Sequence, residues 1–165
     1  MSYDVDIART GMAALFDLKG VPEPLEAWLI GTMPALPRRP NSKFSGDGVD
    51  LLYIGPNHWL IRAPLDQEQS LSDRLKPETC PPDISIVRVS DTQVFFRVVG
   101  PQASDIMAIA CPLDLHLASF GPQDVTFTEI FGLKALVQRC EGGFEFAVEQ
   151  SFADMVEDYL SRANA

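Results

Sequence analysis

The sequence predicts an α+β fold, a mostly antiparallel sheet with helices packed on one face, and three observations lead there. A hairpin pattern occupies residues 49–63, a run of β-branched and aromatic residues at 94–99 leads into a single helix, and the last third repeats that grammar before ending in an amphipathic helix. At 165 residues with 46% hydrophobic and 22% charged side chains, the chain is long enough to bury a sizeable core. It is read as one domain over 1–165, with a Pro-rich, less regular part at 1–48 and an α+β core at 49–165.

Taken in order, Ala8, Met12, Leu15 and Phe16 share one helical face, which predicts a helix from about Val5 to Phe16, weakened by Gly11. Prolines then stand at 22, 24, 34, 37 and 40, and the apolar stretch LEAWLIGTM at 25–33 between them reads as one strand. Arg38 to Gly48 is polar and Gly-rich and reads as a loop. VDLLYI at 49–54 and WLIRA at 59–63 flank GPNH and pair as a hairpin. Pro64 opens a polar helix to about Leu75.

DISIVRV at 83–89 and VFFRVV at 94–99 carry strand composition, and Gly100-Pro101 ends the second run. Ala103, Ile106, Met107 and Ala110 fall on one face of the helix that follows, so it lies on a sheet until Pro112 stops it. VTFTEIF, LKALVQRC and FEFAVEQ form the closing strands, with Glu141-Gly142-Gly143 as a turn. Phe152, Met155, Val156, Tyr159, Leu160 and Ala163 give the last helix a full apolar face, and Ser151 with Asp154 three residues on matches a capping box.

The charge balance narrows the partners. Thirteen Lys and Arg against 23 Asp and Glu give a net charge of -10, which repels phosphate backbones and anionic lipid surfaces. Nucleic acid and membrane are therefore excluded as expected partners. No apolar run reaches a membrane span, and MSYDVDIART lacks the basic start of a secretory signal, so a cytoplasmic location is expected. Cys80, Cys111 and Cys140 are odd in number and widely spaced, which suits reduced, mostly buried thiols.

A search for reaction chemistry finds polar groups without partners. Nucleophilic catalysis needs a base beside the nucleophile, and the only histidines are His58, in the hairpin turn, and His116. A turn histidine is most simply solvated or locally hydrogen-bonded. No CxxC pair, no histidines one helical turn apart and no phosphate-binding glycine loop occurs, so no catalytic residue and no metal site is assigned. Asp114, just past a helix, is the one carboxylate placed to face a cleft, and the same position suits an Asp that bonds nearby backbone N–H groups, the reading given more weight. Asp91 and Glu129 read as solvated charges. Trp28, Trp59, Phe95, Phe96 and Phe131 lie in or beside strands; adjacent Phe95 and Phe96 must point to opposite faces, which fits either a sheet covered on both sides or a face that docks another subunit.

IGPNHWLIRAP at 54–64, VRVSDTQVFFRVVGPQASDIMAIACPLDLH at 87–116 and QSFADMVEDYL at 150–160, in that order over the C-terminal two thirds, resemble the sarcosine oxidase gamma subunit family. That family is related to the folate-binding domain of the glycine-cleavage aminomethyltransferase, so the resemblance implies a similar fold. It further implies a noncatalytic structural subunit of a heterotetrameric complex that oxidatively demethylates sarcosine and passes the one-carbon unit to tetrahydrofolate. The partners implied are the large alpha subunit and the other subunits, which carry FAD, FMN and NAD and meet tetrahydrofolate, while this chain binds no cofactor. In the folate enzymes an Asp follows the corresponding strand, Gly turn and helix, so Asp114 is the one weak folate-site candidate. The chain departs from those enzymes by ending near Ala165, without the further domains that close their pocket. The alternative is a free-standing folate-binding aminomethyltransferase-like protein.

Overall fold

Turn chemistry decides where the chain reverses, and alternation decides which face of each strand is buried. The structure, a computed structural model, describes residues 2–165. In chain order it contains β1 (Asp6–Gly11), β2 (Ala14–Lys19), α1 (Pro22–Leu29), β3 (Lys43–Gly46), β4 (Val49–Gly55), β5 (His58–Ala63) and α2 (Glu68–Leu75). There follow β6 (Ser85–Arg88), β7 (Gln93–Val99), α3 (Ala103–Ala110), β8 (Val125–Ile130), β9 (Leu133–Cys140), β10 (Gly143–Glu149) and α4 (Ala153–Ala163). The expected α+β character holds, but the strands divide into two five-stranded sheets instead of one, both antiparallel throughout.

Two compact units result: Ala13–Ser90, and the segment up to Met12 joined with Asp91–Ala165. In the first unit the strand order is β3-β4-β5-β2-β6. Alternate residues Phe16 and Leu18 of β2, Trp59 and Ile61 of β5 and Leu51 of β4 form one apolar face, which Leu25 and Leu29 of α1 and Leu71 and Leu75 of α2 cover. Tryptophan N–H groups find backbone acceptors in this layer, Trp59 Nε1 donating to Pro37 O at 3.0 Å and Trp28 Nε1 to Leu75 O at 3.1 Å. The two ends of the unit are tied together, because the Leu15 N–H donates to Ser90 Oγ at 3.0 Å and the Val89 N–H to Leu15 O at 2.8 Å.

In the second unit the order is β1-β7-β10-β9-β8. Phe96 and Val98 of β7, Phe144 and Phe146 of β10 and Val137 of β9 pack against Ile106 and Met107 of α3 and Val156 and Leu160 of α4. The Phe96 and Phe146 rings stack with centroids 5.4 Å apart. Helices thus cover one face of each sheet, as the apolar periodicity of α3 and α4 requires.

Several sequence expectations change. The segment from Val5 to Phe16 is no helix: Gly11, at φ +83°, ends β1 after a break in register, and β2 begins at Ala14. Its helical spacing was matched by residues belonging to separate strands. The stretch expected as a strand at 25–33 is largely α1, since Pro22 and Pro24 sit in the first turn, where a missing N–H costs nothing, and Leu25 and Leu29 are one turn apart on the buried side. β6 and β7, neighbours in sequence, part at Ser90–Asp91 and join different sheets. The four-residue turn GPNH tightens to Pro56-Asn57, with Asn57 left-handed and His58 already in β5. The capping box at Ser151 does not form; Phe152 is the N-cap, and Asp154 pairs with Arg9 Nη1 at 2.7 Å instead. Phe95 and Phe96 are both buried.

Candidate functional site

The sequence singles out the segment after α3, and the backbone there is built from local turns. The helix ends where Cys111 turns extended, its N–H still donating to Met107 O at 2.8 Å, and Pro112 prevents a further turn. Leu113 to Ser119 then loops over a cleft of about 510 Å³ lined by Ser104 and Ala108 of α3, by every loop residue from Leu113 to Leu117, Asp114 and His116 included, and by Arg139 of β9.

Asp114 stands on this loop, exposed. Its Oδ1 accepts the His116 N–H at 3.0 Å and its Oδ2 accepts the Ser119 hydroxyl at 2.7 Å. The Ser119 hydroxyl and then the His116 N–H hold the Asp114 carboxyl below its usual range, against an opposing effect of desolvation. His116 Nδ1 in turn accepts the Ala118 N–H at 3.3 Å. These bonds make the segment a side-chain-stabilised turn.

Arg139 locks that turn to the sheet. Its guanidinium donates to Phe120 O and Leu115 O while lying 4.7 Å from the Phe144 ring centroid. Sequence reasoning found neither Ser119 nor Arg139. Ser119 was within reach as a hydroxyl five positions from Asp114; Arg139 comes from a strand that only the sheet order brings to the loop.

His58 joins no nucleophile. Its ring Nε2 is hydrogen-bonded to Asp17 Oδ1, and Lys19 Nζ lies 3.3 Å from Asp17 Oδ2, so the three side chains form a cross-strand cluster on β2 and β5. His58 is neither solvated nor locally bonded as expected of a turn residue: it lies in β5 and its partner is 41 residues away. All three cysteines are free thiols; Cys111 is buried as expected, whereas Cys80 and Cys140 are half-buried, Cys80 Sγ donating to Ile84 O at 3.2 Å and Cys140 bonding Arg97. Asp91 and Glu129 are exposed. Among the described residues no group of three or more His, Cys, Asp or Glu could hold a metal ion, and no helix is long and apolar enough to cross a membrane.

A tetrahydrofolate role would need Asp114 to aim its carboxylate into the cleft with donors beside it. Asp114 does line the cleft, with both oxygens accepting from the loop's own N–H and hydroxyl, and the Arg139 guanidinium donates to backbone carbonyls.

Residues 40–165 match the model of the family described as sarcosine oxidase, gamma subunit family. The sarcosine oxidase subunit gamma of Corynebacterium sp. (strain U-96) is 24% identical over 114 residues, 68% of this chain and 55% of that protein. The chain therefore matches about half the length of that curated relative. Heterotetrameric sarcosine oxidase from Corynebacterium sp. U-96 contains a chain that superposes with a TM-score of 0.84 at 22% identity, over 98% of this chain and 86% of its own length. Glycine cleavage system aminomethyltransferase T from Bartonella henselae gives a TM-score of 0.73 at 14% identity, over 96% of this chain and 46% of that one. At such identities the likeness is one of fold, and it is the fold that the resemblance implied.

Proposed function

Because the chain belongs to the sarcosine oxidase gamma subunit family, we propose that it is the structural, noncatalytic subunit of a heterotetrameric sarcosine-oxidase-type complex. The complex demethylates sarcosine oxidatively and passes the one-carbon unit to tetrahydrofolate, with FAD, FMN and NAD on the partner subunits. The observation that carries the reading is the family match over residues 40–165. The geometry supports it in a specific way: the two polar groups that stood out in the sequence, Asp114 and His58, are bonded within the fold, the first with help from Arg139. Asp114 stabilises a turn, Arg139 pins it, and His58 pairs with Asp17.

The test is to express the chain alone and together with the remaining subunits. Alone it shows no flavin absorbance and no amine oxidation; co-expressed, it is recovered in a stable complex that oxidises sarcosine. Flavin bound by the purified chain, or a fully active complex assembled without it, would contradict the proposal. The aminomethyltransferase-like fold favours one rival, a free-standing folate-binding transferase using Asp114. Saturable tetrahydrofolate binding by the isolated chain, abolished in Asp114→Asn with the fold intact, would support that rival.

A further inference from the structure

Helix α4 carries apolar side chains on two neighbouring arcs. Ala153, Val156 and Leu160 face the core and are fully buried. Phe152, Met155 and Tyr159, spaced three and four positions apart, remain 37%, 36% and 37% exposed. Tyr159 meets Phe131 edge to face, with centroids 5.3 Å apart. Phe131 occupies the turn between β8 and β9 at φ +50°, followed by Gly132 at +78°, and its N–H donates to Ala110 O at 2.7 Å. Asn, Asp or Gly takes that turn position with far less strain than a bulky ring, so an aromatic is held here against its backbone preference.

Carboxylates border this stripe. The solvent side of α4 carries Asp154 and Glu157, which share Arg9, and Asp158, which pairs with Arg162, so the border keeps a carboxylate excess of one on a chain of net charge -10. That border selects the occupant. A second copy would set two chains of net charge -10, each with a carboxylate excess at this border, against one another, and an interfacial lipid-binding helix needs Lys and Arg on its polar face. Aromatic and Met side chains are the types enriched at protein interfaces.

Resting on the subunit reading above, we propose that Phe131, Phe152, Met155 and Tyr159 are the anchor by which this chain docks on another subunit of its complex, in an apolar groove bordered by Lys and Arg. The experiment co-expresses the full tagged chain with the remaining subunits and measures recovery of the complex, its dissociation constant and the salt dependence of association. Circular dichroism melts of each variant check folding. Met155→Asp weakens the complex by about tenfold or more. Asp158→Lys slows association and flattens its salt dependence. Ile30→Asp, an equal change at a site 80% exposed on the other unit, leaves both unchanged. A complex indifferent to both α4 variants, or equally damaged by Ile30→Asp, overturns the anchor while leaving the subunit reading intact. A wild-type chain that recovers no partner removes both readings. Dimers of the isolated chain that Met155→Asp dissolves would assign the stripe to self-association and overturn the proposal.

Discussion

Asp114 is the residue whose chemistry most resembles that of a site, and its pH behaviour separates a turn residue from a ligand. Its folded pKa is depressed, so its contribution to stability is present above the unfolded value of about 3.9 and is lost as pH falls through the lower folded value. Thermal melts of wild type and Asp114→Asn should differ at neutral pH and converge in acid below about pH 4. The difference stays small, because solvent screens an exposed carboxylate. Curves that stay parallel down to the acid limit would remove the turn assignment.

Gly143 gives a sharper residue-scale prediction. A Cβ there would lie 2.1 Å from Val98 O and 2.9 Å from Val99 Cα, both backbone atoms of the adjoining strand. Gly143→Ala must therefore push β10 away from β7, which denaturant titration should read as a loss of at least about 2 kcal/mol. A midpoint within error of wild type would mean that the strands approach less closely than described.

At the scale of elements, one side chain fastens the loop between α3 and β8 to the sheet. Arg139 supplies a planar fork to two carbonyls, and lysine cannot reproduce it. Arg139→Lys should cost about 1 to 3 kcal/mol and speed amide exchange across residues 113–120, with exchange in α4 unchanged. Exchange rates that match wild type would show that Asp114 and Ser119 hold the loop unaided.

What the sequence made legible follows from this same distinction between local and distant partners. α3, α4 and the β4–β5 hairpin are set by spacing and by turns a few residues long, and their positions were readable. β1 and β2 were not, because Ala8, Met12, Leu15 and Phe16 mimic a helical face while their true neighbours lie on β7, β5 and β6. α1 was misread because its apolar run outweighed the start signal of Pro22. Asp114 was legible as a turn residue; the bond from Asp17 to His58 and the reach of Arg139 were not, since both depend on strand order.

For the whole molecule, the expectation of one domain over 1–165 becomes a calorimetric prediction. Heating should give one transition with equal calorimetric and van't Hoff enthalpies, because the chain crosses between the units at Met12–Ala13 and Ser90–Asp91 with no long linker at either crossing. Two separable transitions would instead make each unit a domain.

The bond that ties Leu15 to Ser90 also bears on how the chain comes to be folded. During synthesis, residues 13–90 are complete while the outer sheet still lacks β7 through β10. Closing that inner segment brings its entry and exit together, so the nascent β1 need not search across some eighty residues of loose polypeptide for β7. The latch shortens the effective contact order of the outer sheet, so that β1 and β7 meet across a closed loop once both have been made.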